Sequence, residues 1–412
     1  MNLEYGKEYE DFREEVRSFL AAHWPPPQGG DRAAGAQAFR QAAIERGYLA
    51  RAIPERYGGS EQPADPIRAR ILREEFGRAR APGDPRGIGT MMLVPTLLEK
   101  GEEWQKEKWV PPTIRGDITW CQGYSEPGSG SDLASLKTRA ELVGDEWVIN
   151  GQKIWTSGAH EADYMFCLCR TEPDQPKHAG ISYLLIDMKQ PGIDVRPLRM
   201  MSGTAEFNEV FLNDVRTPAD WIVGKRGEGW LVSRATLKHE RDSIGSAAQS
   251  TAMFQGLVGL AKSRTRNGRP AIEDPEVRQR LAKIEGYVRS HEYSGYIQLT
   301  RSQAGKAAGP IQAMNKIVST NIGHEVAKLA LDLLDEDGLL SAQSAAMGGN
   351  IPKAAPAWLT QYMWSLGVAV AGGTANIQRN IIAERVLGLP RDYYQQSSKG
   401  QGTQAPGSGR VS

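Results

Sequence analysis

Thr138-Arg139-Ala140-Glu141-Leu142-Val143 leads to Gly144-Asp145, then to Glu146-Trp147-Val148-Ile149, then to Asn150-Gly151 and Lys153-Ile154-Trp155. This stretch changes the period of the chain. Apolar and polar residues alternate here, and the Gly-Asp and Asn-Gly pairs are hairpin-turn signals. Tyr164–Cys169, Ile181–Ile186 and Val210–Leu212 read as further short strands. With no helical period between them, an antiparallel barrel or sandwich is expected over 118–228.

Both flanks read as helix. Upstream, to about Asp117, Phe12, Val16, Phe19 and Leu20 fall at helical spacing. Trp24-Pro25-Pro26-Pro27 stops that helix, Tyr57-Gly58-Gly59 marks a turn, and helices are expected near Pro66–Gly77 and Met91–Gly101. Downstream, Trp230–Ser263, Pro275–Ala304 and Gln312–Leu334 are long candidates, with Asp274-Pro275 a start signal. The resulting domains are 1–117, 118–228 and 229–394, followed by a polar tail at 395–412 expected to be disordered.

Composition excludes several classes. The 412 residues carry a formal net charge of +1, which gives no general attraction to nucleic acid or anionic membrane. No run approaches the roughly 20 apolar residues of a membrane span, and Glu4, Lys7, Glu8, Glu10 and Asp11 leave no apolar leader at the start. Of three cysteines, Cys167 and Cys169 share a strand face as small core residues, and no Cys/His spacing suits a metal. A cytoplasmic location is the default. Gly128-Ser129-Gly130 lacks the third glycine and the strand–turn–helix setting of a dinucleotide fingerprint.

Gly123-Tyr124-Ser125-Glu126-Pro127-Gly128-Ser129-Gly130-Ser131-Asp132 resembles the first signature of the acyl-CoA dehydrogenase family. Asn150-Gly151-Gln152-Lys153-Ile154-Trp155-Thr156-Ser157 is similar to its second β-domain element, and Ala371–Ala383 to its closing segment. With Asp214–Pro218 and Gly227–Trp230, the resemblance spans about residues 5 to 392. It implies an α+β chain with an N-terminal helical domain, a middle antiparallel β-barrel domain and a C-terminal four-helix bundle. It also implies FAD as cofactor, an acyl-CoA substrate and an electron-transfer flavoprotein as partner. A homotetramer, a homodimer or a heteromeric assembly is implied as well.

By position, the resemblance assigns FAD contacts to Gln122, Tyr124, Ser125, Gly130, Ser131, Trp155, Ser157, Arg264, Thr374 and Asn376. Trp155 packs against the flavin in that pattern, and Ser157 meets its N(5) region. Substrate contacts fall on Ser131, Arg241, Gly372 and Gly373.

The implied chemistry is removal of the thioester α-proton by a carboxylate while the β-hydrogen passes to flavin as hydride. Many relatives carry that carboxylate as Glu directly before Gly-Thr, where this chain has Gly372. Isovaleryl- and long-chain-type members supply it from the first long helix of the C-terminal region, which points to Glu240. His239 is adjacent in sequence but points away from that face.

Two departures stand out. Arg264-Thr265-Arg266-Asn267-Gly268 has Asn267 where relatives have Phe, and the adenine-side Gln and Gly-Gly-x-Gly stretch is not recognisable around Leu333–Leu340. Two other readings compete: a non-catalytic subunit of a hetero-oligomeric dehydrogenase, and an acyl-CoA oxidase that uses oxygen. The acyl group itself, whether linear, branched, long or steroid-derived, is left open, with a mild lean towards branched or long chains.

Overall fold

A computed structural model describes residues 5–25, 32–85, 87–243, 247–306, 311–339 and 355–390, with the backbone alone over 32–33, 238–243, 302–303 and at 312. The tail expected to be disordered lies outside the described residues. The first region is helical: α1 (Lys7–His23), α2 (Arg32–Glu45), α3 (Pro66–Ala79), α4 (Val94–Lys100) and α5 (Glu103–Arg115). Helix α1 buries Phe12, Val16 and Leu20, the stripe its spacing predicts. Asp65 caps α3 by accepting from the Ile67 and Arg68 amides at 3.0 and 2.9 Å, with Pro66 in the first turn. The helix expected at 91–101 starts as a π turn, Gly89–Leu93, before α4. Pro95 cannot donate to the carbonyl four residues back, and the wider turn accommodates that loss.

The buried Glu75 carboxylate ties α3 to α1. It accepts from Arg13 at 2.9 Å and twice from Arg17 at 3.1 Å, and pairs with Arg78 at 2.6 Å. Burial pushes this carboxyl up, but the hydrogen bonds from Arg17 and Arg13 outweigh it and hold it below its usual range. Stability from this group is therefore present above the unfolded carboxyl value and lost as pH falls through the folded one. Glu75→Gln should cost about 1–3 kcal/mol near neutral pH, because a buried carboxylate that accepts charged hydrogen bonds from Arg13 and Arg17 is replaced by a neutral amide. Denaturant titrations of both proteins from neutral to acid pH check this, since the gap between them should close on acidification.

The middle region forms one sheet of seven strands: β1 (Trp120–Gly123), β2 (Arg139–Val143), β3 (Glu146–Ser157), β4 (Tyr164–Arg170), β5 (Ile181–Asp187), β6 (Ile193–Leu198) and β7 (Phe207–Pro218). Their order is β1-β4-β2-β3-β7-β6, with β5 beside β4. Most pairs are antiparallel, while β4 runs parallel to β1 and touches β2 in parallel at Arg139–Arg170. Both faces of β4 and β5 are buried. Phe166, Leu168, Tyr183 and Leu185 enter the core shared with the N-terminal helices, and Met165, Cys167, Cys169, Leu184 and Ile186 enter the opposite one. Cys167 and Cys169 thus share a face, as their spacing predicts.

Asn150-Gly151 is not a turn. β3 runs straight through it, and the reversal occurs at Gly144-Asp145, where Val143 pairs with Glu146. The Asn-Gly pair instead serves an irregularity in register against β7, between Ile149 and Gly151. Asn150 exchanges hydrogen bonds with Asp214, at 3.0 Å from its amide group and 2.9 Å to its carbonyl. A Cβ on Gly151 would lie 2.4 Å from Thr138 Oγ1, so glycine is required by close packing rather than by reversal.

Beyond the sheet come α6 (Gly229–Ser243), α7 (Ala247–Ser263), a short hairpin of β8 (Thr265–Arg266) and β9 (Arg269–Pro270), α8 (Pro275–Gln303), α9 (Ile311–Leu334), α10 (Ala355–Val368) and α11 (Ala375–Ile381). The single helix expected over 230–263 is two helices, parted at 244–246, which lie outside the described residues. The bundle core is built by α7 to α10, including Leu257, Leu281, Val326, Leu329 and Trp358. Helix α6 packs elsewhere. It lies against β5, α4 and the π turn, and its Val232 belongs to the core between helices and sheet. That position puts α6 at the junction of all three regions.

Candidate active site

The loop after β1 is held tightly at one end and open at the other. Glu126 and Ser129 exchange backbone hydrogen bonds at 2.9 and 3.0 Å, and Ser129 Oγ donates to the carbonyls of Asp132 and Leu133 at 3.0 and 3.2 Å. Pro127, Gly128, Gly130 and Ser131 are exposed. A Cβ on Gly128 or Gly130 would meet no protein atom within 4 Å, and neither residue has a positive φ. Neither the chain's packing nor its backbone needs glycine there. The surface there is open to close approach by a ligand.

Beside this loop, β3 bulges. Lys153 pairs with Val210 and Thr156 with Asn208, so β3 spends one residue more than β7. The extra length throws out Trp155, whose φ is +61° and whose surface is 59% exposed. Its ring keeps one edge-on neighbour, Phe207, at 5.9 Å. A large residue in left-handed backbone costs about 1–2 kcal/mol, and here no burial repays it. Strain combined with an exposed indole marks a surface built for a flat partner. Half-buried Ser157 follows, paired with Phe207.

The third segment is a turn between α10 and α11. Gly372 and Gly373 have φ of +60° and +88°. Thr374 caps α11 by accepting from the Ile377 amide at 3.2 Å. Buried Gln378 donates to the Gly372 carbonyl at 3.2 Å, while its Oε1 has no partner among the described residues. Buried Lys316 on α9 donates to Val368 at the end of α10, at 2.7 Å. Asn376 is exposed and accepts from Arg379 at 3.2 Å.

The remaining expected residues are placed as follows. Gln122 is half-buried in β1, and Ser125 is half-buried with its carbonyl accepting from the Ile154 amide at 2.9 Å. The Tyr124 ring is buried, edge-on to Phe166 and Tyr183, which leaves no ring surface towards the open loop. Arg264 pairs with Asp337 at 2.6 Å. Asn267 and Gly268, with φ of +53° and +76°, form the two-residue turn of β8–β9, so the Asn at the Phe position has a backbone reason. Glu240 and Arg241 lie in the last turn of α6, their side chains outside the described residues. Position 240 falls one turn beyond fully buried Thr236, which meets Thr96 of α4 at 3.0 Å.

Sequence reasoning assigned no role to Lys153 or Glu126. Lys153 is fully buried and donates to Glu126 Oε1 at 2.9 Å, the Leu168 carbonyl at 2.8 Å and the Tyr124 carbonyl at 3.3 Å. Glu126 also accepts from the Lys137 and Thr138 amides at 2.6 and 2.8 Å. A signal existed: strand alternation from Trp147 and Ile149 puts Lys153 on the buried face, where a cation needs a carboxylate. Among the described residues no cluster of metal-ligating side chains occurs, and no helix is long and apolar enough to cross a membrane.

Family profiles match in three consecutive blocks: "Acyl-CoA dehydrogenase, N-terminal domain" over 6–117, "middle domain" over 121–215 and "C-terminal domain" over 227–387. Acyl-CoA dehydrogenase IpdE1 of Mycobacterium tuberculosis is 37% identical over 399 residues, which cover 94% of this chain and 99% of that one. Among solved structures, the ChsE4-ChsE5 complex from Mycobacterium tuberculosis has TM-score 0.75 at 29% identity, over 95% of this chain and 100% of that chain. A structure described as the Tcur3481-Tcur3483 steroid ACAD has TM-score 0.76 at 28% identity, over 95% and 100%.

Proposed function

Because this chain belongs to the acyl-CoA dehydrogenase family, we propose that it uses FAD to desaturate the Cα–Cβ bond of a CoA thioester, with Glu240 as the base and an electron-transfer flavoprotein as electron acceptor. The observation that carries the FAD reading is Trp155, strained and exposed beside a glycine loop that the protein's own packing does not require. Bound there, FAD supplies the two-electron acceptor for the β-hydrogen.

The chain's own residues do the rest. Trp155 offers its indole face to the ring system, and Ser125, Ser131 and Ser157 offer hydroxyls at its margin. Thr374 and Asn376 would hold it from the C-terminal turn. Gly372 and Gly373 let the backbone approach the thioester without a side chain between, which leaves proton abstraction to another element. Helix α6 supplies it: position 240 falls one turn beyond Thr236, which meets Thr96 of α4, and a carboxylate there would take the α-proton. Arg241 serves the CoA arm.

The acyl group is bulky and steroid-derived, a reading supported by the likeness to the structure described as a steroid ACAD. Arg264, an expected FAD contact, is paired with Asp337. The likeness to the ChsE4-ChsE5 complex supports assembly with a second chain.

The test is the visible spectrum of the purified protein against a panel of acyl-CoAs without oxygen. A flavin band that steroid-derived thioesters bleach, and electron-transfer flavoprotein restores, is the expected result. Absence of flavin even after FAD is supplied defeats the enzyme reading. Bleaching by short linear thioesters alone defeats the substrate reading, and rapid recovery in air with peroxide points to an oxidase.

A further inference from the structure

We infer that the buried Lys153–Glu126 pair positions the flavin site, by locking the hydroxyl-bearing loop and the Trp155 bulge to each other as one rigid platform. The inference rests on the FAD reading above and adds two residues to it.

The geometry is specific. Three consecutive loop residues are each held by one of two consecutive strand residues. Lys153 Nζ holds the Tyr124 carbonyl at 3.3 Å and the Glu126 carboxylate at 2.9 Å, and the Ile154 amide holds the Ser125 carbonyl at 2.9 Å. The next residue is Trp155, at φ +61°. The register of β3 against β7 slips immediately after Lys153, so Trp155 loses its regular partner on β7 where the loop is attached. Glu126 then closes the far end of the loop through the amides of Lys137 and Thr138. Ser125 and Trp155 are therefore referenced to one ammonium group rather than to distant parts of the sheet.

Lys153 also anchors the platform to β4 through the Leu168 carbonyl at 2.8 Å. These contacts match all three donors of the ammonium, whose side chain is fully buried. Burial pushes the Glu126 carboxyl up, and the Lys153 charge and the hydrogen bonds to it outweigh that, holding it ionised. The other titratable groups facing the pair are Cys167 and Cys169 on β4 and Arg170 at its end.

A merely structural pair and a positioning pair differ in what Lys153→Met does to bound flavin. Without the ammonium, Glu126 keeps its burial and loses its main counter-charge, so it takes up a proton as pH falls. Protonation weakens its hold on the Lys137 and Thr138 amides and loosens the loop. The holoprotein carrying Lys153→Met should release FAD about tenfold to a hundredfold more readily than wild type. That release should steepen as the pH falls from neutral, whereas wild type stays flat. Its flavin band should lose vibronic detail, and the Lys137 and Thr138 amides should exchange hydrogen faster. Glu126→Gln keeps the shape and one acceptor, and should weaken FAD without any pH dependence; it carries the test if Lys153→Met does not fold. Wild type that binds FAD, with both variants matching its affinity, spectrum and pH profile, overturns the inference and leaves the FAD reading standing. Wild type that binds no FAD overturns both.

Discussion

Glu240→Gln should leave a protein that binds FAD and acyl-CoA as wild type does, yet is bleached by substrate about a hundredfold to ten-thousandfold more slowly, the usual worth of a positioned general base. The expectation follows from two positions taken together. The turn before Thr374 carries Gly372 and Gly373, with φ of +60° and +88° and no carboxylate. Position 240 sits on α6, which among the described residues packs against both β5 of the sheet and α4 of the N-terminal region. Glutamine keeps the size of the side chain and its hydrogen bonding but cannot take the α-proton. Stopped-flow bleaching at saturating thioester reads the chemical step directly, and a rate equal to wild type would falsify the assignment. Unchanged half-saturation with a collapsed maximal rate is the pattern that separates loss of the base from loss of binding.

Trp155→Gly should barely alter folding stability while severely weakening FAD binding. Replacing a buried tryptophan by a small residue costs about 3–5 kcal/mol. Here the ring is 59% exposed, and glycine relieves the +61° backbone. The relief, about 1–2 kcal/mol, offsets the lost edge contact with Phe207, about 0.5–1.5 kcal/mol. Net stability of the FAD-free protein should therefore lie within about 1 kcal/mol of wild type. Denaturant midpoints and FAD titrations on the same preparations check both halves. A large loss of stability with intact FAD affinity would make Trp155 a structural residue.

Much of the site was legible because its parts are local. The Gly/Ser run at 123–132, the segment around Trp155 and the Gly-Gly-Thr turn at 372–374 each keep their meaning within a dozen residues. Lys153 and Glu126 were not read as partners because they meet across 27 positions. Only the pairing of β1 with β4, and of β3 with its neighbours, brings them together. Tyr124 shows the same limit: it stands inside the recognised loop, yet its ring turns into the core against Phe166 and Tyr183. Asn150-Gly151 has the composition of a hairpin turn. It became part of a continuous strand because β7 pairs alongside and Thr138 crowds against Gly151.

The sequence by itself determined the three-part order, since helical and strand periods are local records of which face is buried. It also determined the segments that carry chemistry, and the vacancy at Gly372 that sends the search for a base elsewhere. Tertiary structure alone decided that α6 leaves the bundle to join the interdomain core. It alone decided that Trp155 is thrust out on a left-handed bulge, and that one buried ammonium joins that bulge to the glycine loop. These are non-local outcomes. They depend on which strand lies beside which, and on a charge in a dry interior finding its partner far along the chain.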